Sequence, residues 1–294
     1  MAHIGYVGLG GLGSQIAAYL MEKGHRVTGH NRTRARAEPL IAQGMQWADS
    51  PRAVCQAADF TIVQVSDSAA LRAVADGPDG LLAGLGPGKV LLDMGTNSPE
   101  GSRLLAGQVR ATGARMVDAP VSGTGSTMRQ GRMSVMVGGE PEDFERVKPI
   151  LLDIGPKVTH VGGNGVAMSM KVAINLSLAV QFLAFSEAVL LAEKSGIPRE
   201  MAVEVLLNSV IASPCLQYRG PSVLRDPDPN LFWNVRMMQK DMVLAMEMGR
   251  ALDVPLPTTS ATQEYLVAAR GMGMAEQDCS VMFKVLAQMA GVKA

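Results

Sequence analysis

Residues 4–23 decide the fold, and they read IGYVGLGGLGSQIAAYLMEK. A short apolar run ends at Val7, a glycine-rich turn follows, and a helical pattern begins directly after the turn. The turn has the form GxGxxG: Gly8 allows a tight bend, Gly10 lets a ligand approach the backbone, and Gly13 lets helix and strand pack closely. A helix N-terminus also presents free N–H groups and the positive end of its dipole. The stretch therefore predicts a strand, a turn and a helix that bind the pyrophosphate of a dinucleotide.

The residues at the end of the second predicted strand indicate which of the two nicotinamide dinucleotides, NAD(H) or NADP(H), is bound. Enzymes that use NAD usually carry Asp or Glu there, about 20 residues beyond the glycine motif. This chain has Asn31, Arg32 and Thr33 instead. A guanidinium group binds a 2′-phosphate as a fork, whereas a carboxylate repels it. We predict that these residues contact the cofactor, that NADP(H) is preferred and that NAD(H) is a possible second cofactor. The alternative is a solvent-exposed arginine cluster without a ligand.

Strand and helix patterns alternate through the first half of the chain. β-rich runs are expected at residues 4–7, 25–29, 60–65, 90–93, 115–118 and 134–137. Helical patterns are expected between most of them, at residues 14–23, 35–43, 69–75 and 101–111. Such alternation is typical of parallel βαβ units with right-handed connections. The predicted fold class is α/β, with a Rossmann doubly wound parallel sheet.

The second half of the chain is predicted to contain helices only. Helical patterns occupy residues 166–195, 199–208, 235–251 and 261–272. The glycine cluster at residues 162–165 is a plausible hinge between the two halves. We therefore predict an NADP-binding Rossmann domain over residues 1–163 and an all-helical substrate and dimerisation domain over residues 164–294.

The composition excludes several classes of protein. Hydrophobic residues make up 47% of the chain and charged residues 18%, which excludes a disordered tail protein. Lys+Arg and Asp+Glu both number 27, so there is no basic excess to bind nucleic acid or an anionic membrane. The isolated Cys55, Cys215 and Cys279 form no zinc or disulfide framework, and we expect a reducing, cytoplasmic location. The apolar segment 172–191 carries polar residues, which favours a buried helix over a lipid-spanning one. No signal peptide is expected at the N-terminus.

Four blocks of the sequence resemble the β-hydroxyacid dehydrogenase family, which holds 3-hydroxyisobutyrate dehydrogenase, tartronate semialdehyde reductase and the glyoxylate/succinic semialdehyde reductases. The blocks are the glycine loop with Asn31-Arg32-Thr33, the segment Asp118-Ala119-Pro120-Val121-Ser122-Gly123, the pattern Gly165…Lys171-x-x-x-Asn175, and Lys240-Asp241. The resemblance implies a Rossmann domain joined by a long helix to an all-α C-terminal domain. It also implies hydride transfer between a nicotinamide and a small carboxylate-bearing aldehyde or β-hydroxyacid.

Lys171 is the predicted general acid–base. Hydride transfer to a carbonyl leaves an alkoxide that needs a proton, and the four histidines of the chain are poorly placed to supply it. Apolar neighbours surround Lys171 in the sequence, and such surroundings favour the neutral amine and ease proton exchange. Asn175 follows at i+4 on the same helical face and is expected to orient the lysine and the substrate. The alternative without a ligand is a lysine that snorkels from a buried helix.

Ser122, Gly123 and Thr124 are expected to hold the substrate carboxylate, as this segment does in the family. Their N–H groups and the Ser122 hydroxyl are suitable donors. Many members have glycine or serine where this chain has Thr124, which is expected to narrow the pocket or to add a hydroxyl. A glycine-rich turn without a ligand is the alternative.

The resemblance assigns the remaining site residues. It places Asp241 in the polar network of the site and Lys240 near the nicotinamide, with an exposed charge pair as the alternative. The whole glycine loop and the ends of the third and fourth strands are expected to contact the cofactor, through Gly8, Leu9, Gly10, Gly11, Leu12, Gly13, Val65, Ser66 and Thr96.

These features predict an NADPH-preferring oxidoreductase for a small-molecule acid substrate. The apolar stretch at residues 167–191 indicates a subunit interface, so we expect a homodimer or homotetramer, with no nucleic acid and no membrane partner. The 6-phosphogluconate dehydrogenases share the pattern of the first half but are much longer, with an extra helical region that this chain lacks. Two further alternatives stay open. One is an imine reductase-like activity on the same fold, although many such enzymes replace the lysine with Asp or Tyr. The other is a catalytically inactive dinucleotide-binding module that acts in protein interactions.

Overall fold

The computed structural model describes residues 1–225 and 233–293. The chain forms two compact units, Met1–Lys171 and Val172–Ala294. The division falls inside one long helix, and the boundary that we place between residues 163 and 164 on sequence grounds lies just before that helix begins.

A nine-stranded sheet forms the centre of the first unit, all of whose residues are described. Its strands are β1 (His3–Val7), β2 (Arg26–His30), β3 (Gln46–Trp47), β4 (Phe60–Val63), β5 (Val90–Asp93), β6 (Arg115–Asp118), β7 (Val121–Ser122), β8 (Ser134–Gly138) and β9 (Lys157–Gly162). Their order is β3-β2-β1-β4-β5-β6-β8-β7, and β9 pairs with β8. Strands β1 to β6 pair in parallel. The strand order reverses beside β1, and doubly wound sheets bind ligands at the carboxyl ends of the strands at such a point.

Helices connect these strands and cover both faces of the sheet. They are α1 (Gly11–Glu22), α2 (Glu38–Ala42), α3 (Pro51–Ala57), α4 (Ser68–Ala75), α5 (Leu81–Gly84), α6 (Pro99–Ala111), α7 (Gly125–Arg129) and α8 (Pro141–Ile154). Ile4 and Tyr6 of β1 lie in one buried apolar cluster and Val7 lies in another, as the alternation of side chains along a strand requires. The predicted Rossmann sheet is confirmed.

Two details of the sheet differ from the expected parallel alternation. Strand β8 runs antiparallel to β6, with Asp118 opposite Gly138, and antiparallel to β7. The reason is that β7 and the short helix α7 reverse the chain direction before β8, instead of a full crossover helix. Strand β9 was not expected from the sequence. None of its six residues is fully buried, so it lacks the apolar run that marks an inner strand. The predicted helix at residues 35–43 is also split into a 3-10 turn, Arg34–Arg36, and α2.

Helices alone make up the described part of the second unit, apart from a single bridge between Asn234 and Asp278. The helix α9 (Val166–Lys194) begins in the first unit and continues into the second. The others are α10 (Arg199–Leu207), α11 (Pro214–Arg219), α12 (Val235–Ala251), α13 (Pro257–Gly271) and α14 (Met282–Met289). Their core contains Phe182, Met242 and Phe283, all buried. The predicted helical C-terminal domain is confirmed.

Helix α9 is long and apolar enough to cross a membrane by length and composition alone, with a mean hydropathy of 1.7. Core helices of soluble proteins have the same character. Phe182, Phe185 and Val189 of α9 are buried among the helices of the second unit. The absence of a membrane partner stays a prediction.

The three cysteines are expected to be unreactive in the folded chain. Cys55, Cys215 and Cys279 are free thiols and are buried. Burial raises the pKa of Cys55 to about 11 and also raises the pKa of the other two thiols. A raised pKa keeps a thiol protonated, and the thiolate is the reactive form. Titration with an aromatic disulfide reagent at pH 8 should therefore label the native chain roughly 100-fold more slowly than the unfolded chain. Fast labelling of native protein would contradict this.

Candidate active site

Of the three glycines that define the motif in the loop between β1 and α1, only Gly10 has open space where a side chain would lie. Gly8 has a φ of +101°, and a Cβ there would lie 2.1 Å from the Gln64 carbonyl oxygen. A Cβ at Gly13 would lie 2.2 Å from the Gly8 carbonyl oxygen, so helix and strand pack too closely for a side chain. A Cβ at Gly10, in contrast, would meet nothing within 4 Å. The loop thus has its backbone open at Gly10, as a pyrophosphate would require.

The N-terminus of α1 follows this open backbone. The helix begins at Gly11, and the preceding Gly10 provides no side chain to cap it. The first N–H groups of an α-helix have no partner within the helix, so Gly11 and Leu12 present donors and the positive dipole end to the loop. Together with the Gly10 cradle, this donor set fits the phosphates of a dinucleotide.

Asn31 has a structural task in this loop. Its carboxamide oxygen accepts from the Leu9 N–H at 3.0 Å, and its amide nitrogen donates to the Thr33 carbonyl oxygen at 2.9 Å. The side chain predicted to contact the cofactor therefore braces the glycine loop and the turn after β2. Both the oxygen and the nitrogen of the Asn31 carboxamide are engaged. The side chain therefore has a structural role in the loop that the sequence did not predict.

Two of the three neighbouring arginines are available to an anion. Arg34 pairs with Glu38 at 3.1 Å, and its guanidinium lies over the ring of Trp47. Arg32 and Arg36 are exposed, and neither side chain makes a hydrogen bond or ion pair with any residue that the structure describes. The positive charge next to the loop is therefore unneutralised at Arg32.

The other predicted cofactor residues follow the ends of neighbouring parallel strands. Val65 and Ser66 come after β4, and Thr96 comes after β5. The Ser66 hydroxyl donates to the Asp67 carboxylate at 2.8 Å. The buried Asp93 accepts from the Gly95 N–H at 3.0 Å, which holds the turn that carries Thr96. These residues share the carboxyl edge of the sheet with the glycine loop.

The segment after β7 is organised around a helix cap. The Thr124 N–H donates to the Thr127 hydroxyl at 2.7 Å, and the Thr124 hydroxyl accepts from the Thr127 N–H at 3.3 Å. The Thr124 N–H and hydroxyl oxygen therefore both take part in capping α7, and a role of Thr124 in substrate binding stays a prediction. Gly123 has a φ of +142°, which favours glycine. The Ser122 hydroxyl makes no hydrogen bond with a described residue and is available to an anion.

Lys171 lies in the second turn of α9 and is half-buried. Met168 and Val172, which flank it on the helix, are buried. Asn175 follows one turn later and is 4% exposed. Lys171 and Asn175 thus lie on one side of a continuous helix, as the sequence spacing predicted.

The Asp241 carboxylate has two hydrogen-bond donors and one ion-pair partner within the second unit. The Asn175 amide donates to Oδ2 at 2.6 Å, the Trp233 indole N–H donates to Oδ2 at 3.0 Å, and Lys240 Nζ lies 3.1 Å from Oδ1. Asp241 is 2% exposed, so these partners offset the cost of burying its charge. The network also fixes the rotamer of Asn175 by engaging its amide nitrogen.

Trp233 was not predicted from the sequence. It lies outside every motif, directly before the cap residue of α12, and a tryptophan near a helix start is ordinarily interpreted as packing. The feature that could have identified Trp233 is its indole N–H, because such a group usually finds a hydrogen-bond acceptor when it is half-buried.

The four histidines are all engaged elsewhere in the first unit. His25 contacts Asp153 at 2.9 Å, and His3 contacts the Thr28 hydroxyl at 2.8 Å. His30 and His160 bond backbone carbonyl groups. Among the described residues, no group of three or more His, Cys, Asp or Glu side chains is arranged to hold a metal ion.

Comparison with known proteins covers nearly the whole chain. Residues 3–162 match the family model of the NAD binding domain of 6-phosphogluconate dehydrogenase. Residues 163–286 match the model described as NAD-binding of NADP-dependent 3-hydroxyisobutyrate dehydrogenase.

Individual relatives agree with these models. The 2-hydroxy-3-oxopropionate reductase of Escherichia coli (strain K12) is 33% identical over 99% of this chain and 99% of its own length. The 3-hydroxyisobutyrate dehydrogenase of Pseudomonas aeruginosa is 32% identical over 87% of this chain and 88% of its own length. The solved structure of Psf3 in complex with NADP+ and 2-OPP has a TM-score of 0.88 at 27% identity, over 96% of this chain and 99% of that one. The chain therefore belongs to the β-hydroxyacid dehydrogenase family and is an NAD(P)-dependent hydroxyacid dehydrogenase or semialdehyde reductase.

Proposed function

We propose that this protein is an NADPH-preferring reductase of small carboxylate-bearing aldehydes, or the reverse dehydrogenase of β-hydroxyacids, with Lys171 as general acid–base. The observation that carries the proposal is the position of Lys171 on α9. It is half-buried, lies next to buried apolar residues, and precedes by one turn an asparagine whose amide is held by Asp241.

Lys171 moves the proton in this proposal. The bound nicotinamide supplies or accepts hydride, and that chemistry belongs to the cofactor. In the reducing direction the Lys171 ammonium group donates a proton to the carbonyl oxygen as its charge develops. In the oxidising direction the neutral amine accepts the hydroxyl proton. All four imidazoles bond other groups of the first unit, so none of them is a better candidate for the proton donor than Lys171.

The preference for NADPH rests on Arg32. Its exposed guanidinium has no carboxylate partner among the described residues, whereas Arg34 is paired with Glu38. An unpaired guanidinium forms short, strong charge-assisted bonds to a phosphate. The relative Psf3 binds NADP+.

The substrate carboxylate is proposed to bind at Ser122 and Gly123. The Ser122 hydroxyl is available, while Thr124 contributes by capping α7 and holding the turn in shape. Binding of this anion orients the carbonyl, so it should affect kcat as well as KM.

The setting of the enzyme is also part of the proposal. Free thiols and a net charge of zero support a cytoplasmic enzyme without nucleic acid or membrane partners. The apolar α9 supports a homodimer or homotetramer.

A matched pair of aldehydes tests the proposed function. Succinic semialdehyde and butanal both have four carbons, and only the first carries a carboxylate. We expect NADPH oxidation with succinic semialdehyde to show a kcat/KM at least about 10-fold higher, since a charge-assisted hydrogen bond contributes about 1.5–3 kcal/mol. Ser122→Ala should reduce that ratio.

Other outcomes would point to a different function. Equal kcat/KM for the two aldehydes would contradict the carboxylate site. Turnover of cyclic imines in place of aldehydes would support imine reductase-like activity. NADPH binding without turnover of any substrate would support an inactive binding module.

A further inference from the structure

Asp118, the last residue of β6, is a completely buried carboxylate. Its Oδ1 accepts from the Gly165 N–H at 2.9 Å and from the Asn164 amide at 3.2 Å. Its Oδ2 accepts from the Met168 N–H at 3.3 Å. All of these groups belong to the first unit, so a strand of the sheet caps the N-terminus of the helix that carries Lys171.

The helix has no cap from its own flanking residues in these contacts. Asn164, which precedes α9, directs its amide to Asp118 and to the Met116 carbonyl oxygen at 3.0 Å. In most helices a Ser, Thr, Asn or Asp directly before the first turn caps the N-terminus. Here the cap comes from a residue 47 positions earlier in the chain. The first turn of α9 is therefore tied to the end of β6.

Burial raises the pKa of the Asp118 carboxyl above its usual range, and the hydrogen bonds from Gly165, Asn164 and Met168 act in the opposite direction by favouring the carboxylate. The described residues include no ion-pair partner for Asp118. The positive end of the α9 dipole and three N–H donors take the place of a cation. An asparagine would keep one acceptor but turn its NH₂ group toward a donor, so it would mimic the shape without the interaction.

Asp118 is connected through short stretches of chain to two residues of the proposed site, Lys171 and Ser122. Met168, whose N–H it holds, lies one helical turn before Lys171. On its other side, Asp118 begins the short segment that ends at Ser122. That segment is itself held: the Ala119 N–H donates to the Asp93 carbonyl oxygen at 2.7 Å, and the Met136 N–H donates to the Pro120 carbonyl oxygen at 3.1 Å.

We infer that Asp118 is a positioning residue for the hydride-transfer reaction, which sets Lys171 relative to the substrate-binding segment at Ser122. The inference rests on the proposed function of those two residues. It predicts that Asp118 acts on turnover through Lys171 and has little effect on NADPH binding.

A double-mutant cycle with Asp118→Asn and Lys171→Ala tests this inference. Asp118→Asn alone should lower kcat about 10-fold or more, because misplacing a catalytic group by about 1 Å is costly. Its Kd for NADPH, measured by cofactor fluorescence, should stay unchanged. In the Lys171→Ala background the same substitution should leave the residual kcat nearly unchanged, since coupled residues are not additive. Ser50→Ala serves as the control for the loss of a helix cap. It removes the cap of α3, where the Ser50 hydroxyl accepts from the Ala53 N–H at 3.1 Å, and it should leave kcat unaltered.

The outcomes separate the inference from the proposed function. A wild-type kcat for folded Asp118→Asn, or an equal loss in both backgrounds, would overturn the role of Asp118. Retained activity in Lys171→Ala alone would instead overturn the proposed function. If Asp118→Asn does not fold, Asn164→Ala removes one donor to the same carboxylate and should lower kcat only in the presence of Lys171. An unchanged kcat in that variant would also overturn the inference.

Discussion

Lys171→Ala is expected to lower kcat by roughly 10²–10⁴, the usual contribution of a general acid–base group. The alkoxide formed by hydride transfer would then have to take its proton from water. NADPH binding should be largely retained, because the donors predicted to bind its phosphates belong to the glycine loop and the N-terminus of α1. Steady-state kinetics with succinic semialdehyde and a fluorescence titration with NADPH measure the two effects separately.

Two variants control for the loss of a lysine side chain. Lys171→Met keeps the apolar stem and should lose as much activity as the alanine variant, which would exclude a packing effect. Lys194→Ala changes a lysine at the other end of the same helix, where its ammonium group bonds the Ala290 carbonyl oxygen at 3.1 Å. That variant should keep the wild-type kcat. More than about half the activity in Lys171→Ala would show that another group supplies the proton.

The second large effect is expected at the end of β2. Replacing Asn31 with Asp and Arg32 with Leu should shift the NADPH/NADH ratio of kcat/KM by roughly 100-fold toward NADH. The reason is that a charge-assisted bond is lost and a repulsive carboxylate is added. A carboxylate in place of the Asn31 amide can still accept from the Leu9 N–H but can no longer donate to the Thr33 carbonyl oxygen. Arg32→Leu alone, which leaves that brace intact, should show a smaller shift.

Salt and a neighbouring arginine provide the controls. The wild-type KM for NADPH should rise with ionic strength more steeply than that of the double variant, since screening weakens an exposed charge interaction. Arg34→Leu should change the ratio by less than about threefold, because Arg34 is already paired with Glu38, and exposed pairs contribute little. An unchanged ratio in the double variant would mean that the 2′-phosphate is held elsewhere or that NAD is the natural cofactor.

Local patterns in the sequence were sufficient to predict the fold class of this protein and most of its main helices and strands. The strand, turn and helix of residues 4–23 depend on contacts between near neighbours, so glycine spacing predicted the backbone opening at Gly10. The same holds for Lys171 and Asn175, whose relation follows from 3.6 residues per helical turn. Four of the six described helices of the second half were predicted in the same way, because their periodicity is local, whereas the short helices α11 and α14 were not predicted.

The tertiary structure alone decided how the predicted residues are held. Asn31 braces Leu9, Asp118 caps a helix 47 positions away, and Trp233 supplies a second hydrogen-bond donor to Asp241. Thr124 caps α7 together with a threonine that no pattern had singled out. Hydrogen bonds between distant residues leave no spacing rule in the sequence, because folding brings the partners together only after each local element has formed. The types and positions of the predicted site residues can thus be recognised in the sequence, and the hydrogen bonds that orient them come from the folded chain.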